Sequence, residues 1–192
     1  MNTSLQLRMT VYASLLAALT AVGAFFPIPI GPVPIILQNM FVLLSGLLLG
    51  SRWGLASVGV YILAGAFGLP VFAGGLGGIS RIVGPTGGYI LGYLPGVFIT
   101  GLIAEKTEQR MIYDVFAMIC GCIIIYVCGV TWLKVLTGMT LAKTLTVGMY
   151  PFLIGDVLKI AAAAAIAKSL RPVIMQNCNS IATKAPRHKE EL

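Results

Sequence analysis

Two ionisable residues interrupt an otherwise apolar run near the end of the chain: Leu145-Thr146-Val147-Gly148-Met149-Tyr150-Pro151-Phe152-Leu153-Ile154-Gly155-Asp156-Val157-Leu158-Lys159-Ile160, followed by five alanines. Asp156 and Lys159 stand three apart, so a helix carries them on similar sides. At membrane depth each unpaired charge costs about 2.5 to 3.5 kcal/mol on the insertion scale. The two must therefore pair, meet a ligand or face a wet cavity. A carboxylate accepts hydrogen bonds and an ammonium donates them, so together they suit a neutral head group with N–H beside C=O, such as a cyclic urea. Gly155 removes a side chain where a ligand would approach closely. A purely structural ion pair is the competing reading.

A second candidate is Gly84-Pro85-Thr86-Gly87-Gly88-Tyr89. It places Thr86 at a helix N-cap, with free N–H groups behind it and Arg81 nearby, a combination that holds an anion such as a carboxylate. Tyr89 is equally readable as an interfacial aromatic. Just before it, Gly74-Gly75-Leu76-Gly77-Gly78 lies in a connection that can cover a pocket or simply join two helices. A third feature is the repeat Ala13, Ala17, Ala21, a small-residue stripe that serves either packing within a bundle or docking of another membrane protein.

Other chemistry lacks its parts. The one histidine, His188, sits in a charged tail, so neither a Ser-His-Asp set nor H-E-x-x-H is available in the apolar body, and no P-loop string occurs. Cys120, Cys122, Cys128 and Cys178 form no metal-ligand spacing. The expectation is no metal, no cofactor and no catalysis; a small membrane-embedded enzyme such as an acyltransferase is the alternative, and a scaffold without a ligand the third reading.

The elements that position these residues follow from composition. Of 192 residues, 58% are hydrophobic and 10% charged, against about 45–50% and about 25% in soluble domains. With a mean hydropathy of +0.95, the bilayer is the expected solvent. Six stretches approach the length of a spanning helix, residues 9–26, 35–50, 54–69, 87–104, 115–136 and 145–167. The first is read as a retained helix, because Phe25-Phe26-Pro27 stands where a signal peptide has a polar cleavage region. The net charge of +7 lies between the apolar runs and not on one nucleic-acid-binding face. Arg8, Arg52, Lys106, Arg110, Lys168, Arg171, Lys184, Arg187 and Lys189 fall on one side of the predicted topology, and only Arg81, Lys134 and Lys143 on the other, which predicts cytoplasmic termini. The opposite side then carries a stiff Pro-rich connection, 27–34, and the Gly-rich connection, 70–86. The chain divides into a six-helix membrane domain, 1–171, and a charged cytoplasmic tail, 172–192.

Four segments in this order carry a family resemblance: Pro32-Val33-Pro34-Ile35-x-Leu37-Gln38, Gly68-Leu69-Pro70-Val71-Phe72-Ala73-Gly74, Gly84-Pro85-Thr86-Gly87-Gly88-Tyr89 and Pro151-Phe152-x-x-Gly155-Asp156-x-x-Lys159. Between about Thr10 and Arg171 the chain resembles the BioY family, the biotin-binding S components of energy-coupling factor (ECF) transporters. The resemblance implies an all-α, six-helix S-component fold in a prokaryotic cell membrane. It also implies biotin bound from the outer side under the first and third loops, by Asp156 and Lys159 on the last helix and Arg81 in the loop. Arg81, Tyr89 and Gln38 are expected nearer the acid tail or lid, and Gly74, Gly75 and Thr86 complete the expected site. The alanine face would meet a membrane coupling subunit joined to cytoplasmic ATPases, with self-association as the alternative.

Overall fold

Gly50 decides the shape of the first half of the chain. In the computed structural model, which describes residues 3–25, 36–107 and 110–182 with side chains to residue 174, helix α1 (Thr3–Ala24) is followed by α2 (Gln38–Ala66), and Gly50 alone inside α2 is non-helical, with φ 78° and ψ −175°. Glycine adopts this left-handed backbone at little cost, and a Cβ here would collide with the Glu105 carboxylate. The chain therefore folds back on itself. A Cβ placed on Gly54 would lie 3.1 Å from the Cα of Gly46, whereas eight residues of straight helix span about 12 Å.

The bend frees backbone groups, and side chains take them up. Ser51 N–H, which would reach Leu47 C=O in a continuous helix, donates to Glu105 Oε1 at 2.7 Å, and Ser51 Oγ donates to both oxygens of that carboxylate. Leu47 C=O accepts from Arg171 Nη2 at 3.3 Å. The second and third apolar stretches are thus two legs of one helical element with no loop between them. Ser51-Arg52-Trp53, expected as a connection, forms the first turn of the second leg, because one left-handed residue suffices to reverse the chain.

Beyond α2 come the short α3 (Ile79–Val83), α4 (Gly87–Lys106), α5 (Met111–Thr137), α6 (Leu141–Gly148) and α7 (Tyr150–Ala182). The last expected stretch is broken at Met149 (φ −135°, ψ −57°), and α7 continues past Arg171 with Pro172 inside it. α4 meets α5 along Gly88, Gly92 and Gly96, where added Cβ atoms would strike Trp132, Cys128 and Ile125 of α5; small residues every fourth position allow this approach. α7 lies along the first leg of α2, burying Ala163, Ala164 and Ala167. Among the described residues five helical runs are long and apolar enough to cross a membrane, and the two legs of α2 make six passes. Val60, Leu63, Val127, Ile154 and Val157 are more than half exposed on the outside. In water so broad an apolar surface would mark an interaction site; here it faces hydrocarbon.

The alanine stripe on α1 turns inward. Ala13 and Ala17 are buried against α2, the backbone C=O of Ala13 accepts from Ser57 Oγ at 2.7 Å, and Ala21 is half-buried. Packing, and not an open docking surface, is what this geometry assigns to Ala13 and Ala17. The face of α1 that stays open carries Thr10, Ser14 and Ala18.

Candidate ligand site

The connection between α2 and α4 builds a roof. Phe72 is fully buried and meets Tyr61 edge to face at 5.7 Å, and Tyr61 donates to Val71 C=O at 3.1 Å. Gly74 N–H reaches Ala24 C=O, Gly78 N–H reaches Gly65 C=O, and Trp132 Nε1 of α5 donates to Gly84 C=O at 3.0 Å. A connection tied to α1, α2 and α5 holds a fixed shape. The Pro-rich connection 27–34 lies outside the described residues.

Under the roof is a cavity of about 620 Å³. Of the residues expected at the site, Gln38, Gly74, Arg81, Thr86, Tyr89, Asp156 and Lys159 line it. Gly75 is not among the lining residues; it sits beside the ring of Phe25 with φ 71°, turning the roof. Thr86 stands at the N-cap of α4, but its hydroxyl makes no cap hydrogen bond, and it lines the cavity instead. Tyr89 donates its one hydroxyl proton to Gly148 C=O at 2.7 Å, a carbonyl at the break between α6 and α7. Its ring is wall, and its oxygen can now only accept. Gln38 is buried, and its side-chain nitrogen has no hydrogen-bond partner among the described residues. Arg81, on α3, is exposed at the mouth and makes no ion pair among the described residues.

The floor is polar and almost fully enclosed. Asp156 and Lys159 are 4% and 8% exposed and pair at 3.1 Å. Asn39 bridges them, donating from Nδ2 to Asp156 Oδ1 at 2.9 Å and accepting from Lys159 Nζ at 3.2 Å. Tyr126 of α5 donates to Asp156 Oδ2. A carboxylate offers about four acceptor positions and an ammonium three donors. Among the described residues three of the former and two of the latter are taken, so one acceptor, on Asp156 Oδ2, and one donor, on Lys159, remain.

Sequence reading missed Asn39 and Tyr126. Asn39 is next to Gln38 at the start of α2, and a polar pair opening an apolar helix was the available signal. Tyr126 had none, since a tyrosine within an apolar run reads as core.

Fold and site together define a multi-pass membrane protein built around one roofed cavity with a polar floor. A family model for the BioY family matches residues 1–176, and the chain belongs to that family. It is 43% identical over 165 residues to the biotin transporter BioY of Thermotoga maritima, covering 86% of this chain and 96% of that one. It is 42% identical over 158 residues to a probable biotin transporter BioY of Pyrococcus horikoshii, covering 82% and 93%. The fold matches the crystal structure of the S component for biotin from an ECF-type ABC transporter, with a TM-score of 0.84 and 33% identity over 90% of this chain and 95% of that one.

Proposed function

We propose that this chain is the biotin-binding membrane subunit of an uptake system, holding the ureido ring on Asp156, Lys159 and Asn39 and the carboxylate toward Arg81. The observation that carries the reading is the floor: one free acceptor on Asp156 and one free donor on Lys159, in one ion pair, suit the N–H and C=O of a cyclic urea. Relatives named as biotin transporters support it and set aside the acyltransferase and scaffold readings. Saturable binding of labelled biotin to the purified protein is the test; no binding by folded protein overturns the proposal.

The arrangement also predicts which substitution reads which end of the ligand. Arg81 is the cation nearest the mouth, so Arg81→Ala weakens biotin more than biotin methyl ester, which lacks the tail charge. Competition assays with acid and ester measure the difference, and an equal loss for both removes Arg81 from carboxylate recognition.

Both termini are assigned to the cytoplasm and the 70–86 roof to the outside, from the Lys/Arg asymmetry. In intact cells an impermeant thiol reagent should leave Cys178 unlabelled, and labelling would reverse the orientation.

The partner is a membrane coupling subunit with cytoplasmic ATPases, a reading that the ECF-type neighbour supports; self-association is the alternative. The open face of α1 is the place for it. Ala18→Trp should leave biotin binding unchanged and reduce co-purification with the coupling subunit. Ala17→Trp, by contrast, overpacks the contact with α2 and should destabilise the fold by about 1 to 3 kcal/mol. Unchanged association in Ala18→Trp would move docking to another face.

A further inference from the structure

A second concavity, of about 560 Å³, opens on the outer surface between α5 and α7. Its sides are Ile119, Ile123 and Val127 of α5 and Leu153 and Val157 of α7. Ile119, Ile123 and Val127 lie in the middle of the spanning helix α5, which is hydrocarbon depth, and Leu153 and Val157 line the groove opposite them from the first turns of α7. Ile123, Val127 and Val157 are 56%, 60% and 67% exposed. Water has little to bind there: the lining is mostly aliphatic, the Tyr126 hydroxyl and the Asp156 carboxylate at its edge bond each other, and Thr131 is the other hydroxyl. An empty space of this size forfeits contacts along its whole lining. What the surroundings supply at that depth is acyl chain.

We propose that this groove binds one acyl chain of a bilayer phospholipid, and that the chain seals the side wall of the ligand cavity. Cys122, Tyr126 and Asp156 border both spaces, so at this point a single layer of side chains separates the polar floor from the bilayer. A hydrocarbon chain against that layer keeps water from the back of Asp156 and preserves the low-dielectric setting in which its hydrogen bonds are strong. The sealing role rests on the ligand site proposed above; the lipid site does not.

Mass measurement of the intact protein under non-denaturing conditions, after extraction in mild detergent, counts retained lipid. The parent chain should keep one phospholipid. Ile123→Trp and Val127→Trp, which fill the groove from exposed positions, should each lose it, whereas Val60→Trp, on α2 and 57% exposed, should not. A parent without retained lipid, or retention unchanged in both groove variants, overturns the site. Parent protein stripped of lipid in short-chain detergent should then bind biotin at least about threefold more weakly than lipid-retaining protein. Equal affinity overturns the seal. If no form binds biotin, the proposed ligand is wrong, and the lipid count still decides the groove.

Discussion

Asp156→Asn should weaken biotin binding at least tenfold while the protein stays folded. The variant keeps the shape of the floor but removes the anion that accepts from Tyr126, Asn39 and Lys159, and it leaves the Lys159 ammonium buried without its counter-ion. Removing one member of a buried, hydrogen-bonded charge pair costs about 2 to 5 kcal/mol in binding, and about 1.4 kcal/mol is one decade of affinity. In the proposed pose the floor contacts the head and not the tail, so the loss should be the same for biotin and its methyl ester, unlike the loss in Arg81→Ala. Equal affinity in the parent chain and the variant would leave the Asp156–Lys159 pair with a structural role only.

The second large effect is on stability, at the opposite end of the bundle. Asp114, at the start of α5, is buried and receives Arg171 of α7 through two hydrogen bonds of 2.8 and 3.0 Å. Asp114→Ala leaves the guanidinium buried and uncompensated, which costs about 3 to 5 kcal/mol. The double variant Asp114→Leu with Arg171→Met should recover part of that loss. It cannot recover all of it, since Leu47 C=O loses its donor, and an unmet buried carbonyl costs about 1 to 3 kcal/mol. Thermal unfolding in detergent separates the cases: a double variant no more stable than Asp114→Ala would show that charge pairing is not what Arg171 contributes.

Much of this architecture is legible in the sequence because the bilayer is a demanding solvent. Long apolar runs have one use, and a carboxylate and an ammonium three residues apart within such a run need a reason, so Asp156 and Lys159 could be found from the chain alone. Features set by tertiary geometry were not legible. Gly50 reverses α2 only because Glu105 and Arg171, distant in sequence, receive the groups it frees. The alanines of α1 follow a spacing that fits both a core seam and an interface, and only the position of α2 decides between them. Thr86 carries the residue type of a capping hydroxyl, yet the turn leading into α4 directs no cap bond from it. Tyr126 acquires its role by standing across from Asp156, a relation between two helices that no single window of sequence contains.

The pairing on the cavity floor also has an electrical consequence. Asp156 and Lys159 cancel, Arg81 leaves the empty cavity with one net positive charge, and in the proposed pose a bound monocarboxylate brings the loaded site to zero. A membrane potential acts on net charge, at about 2.3 kcal/mol per elementary charge per 100 mV. If biotin is held in the proposed pose, displacement of the loaded site across the midplane therefore draws no work from the field and does none against it. A full cycle still carries the ligand's negative charge inward, so in the proposed pose the resting voltage acts on the return of the empty, positively charged site and not on the loaded one.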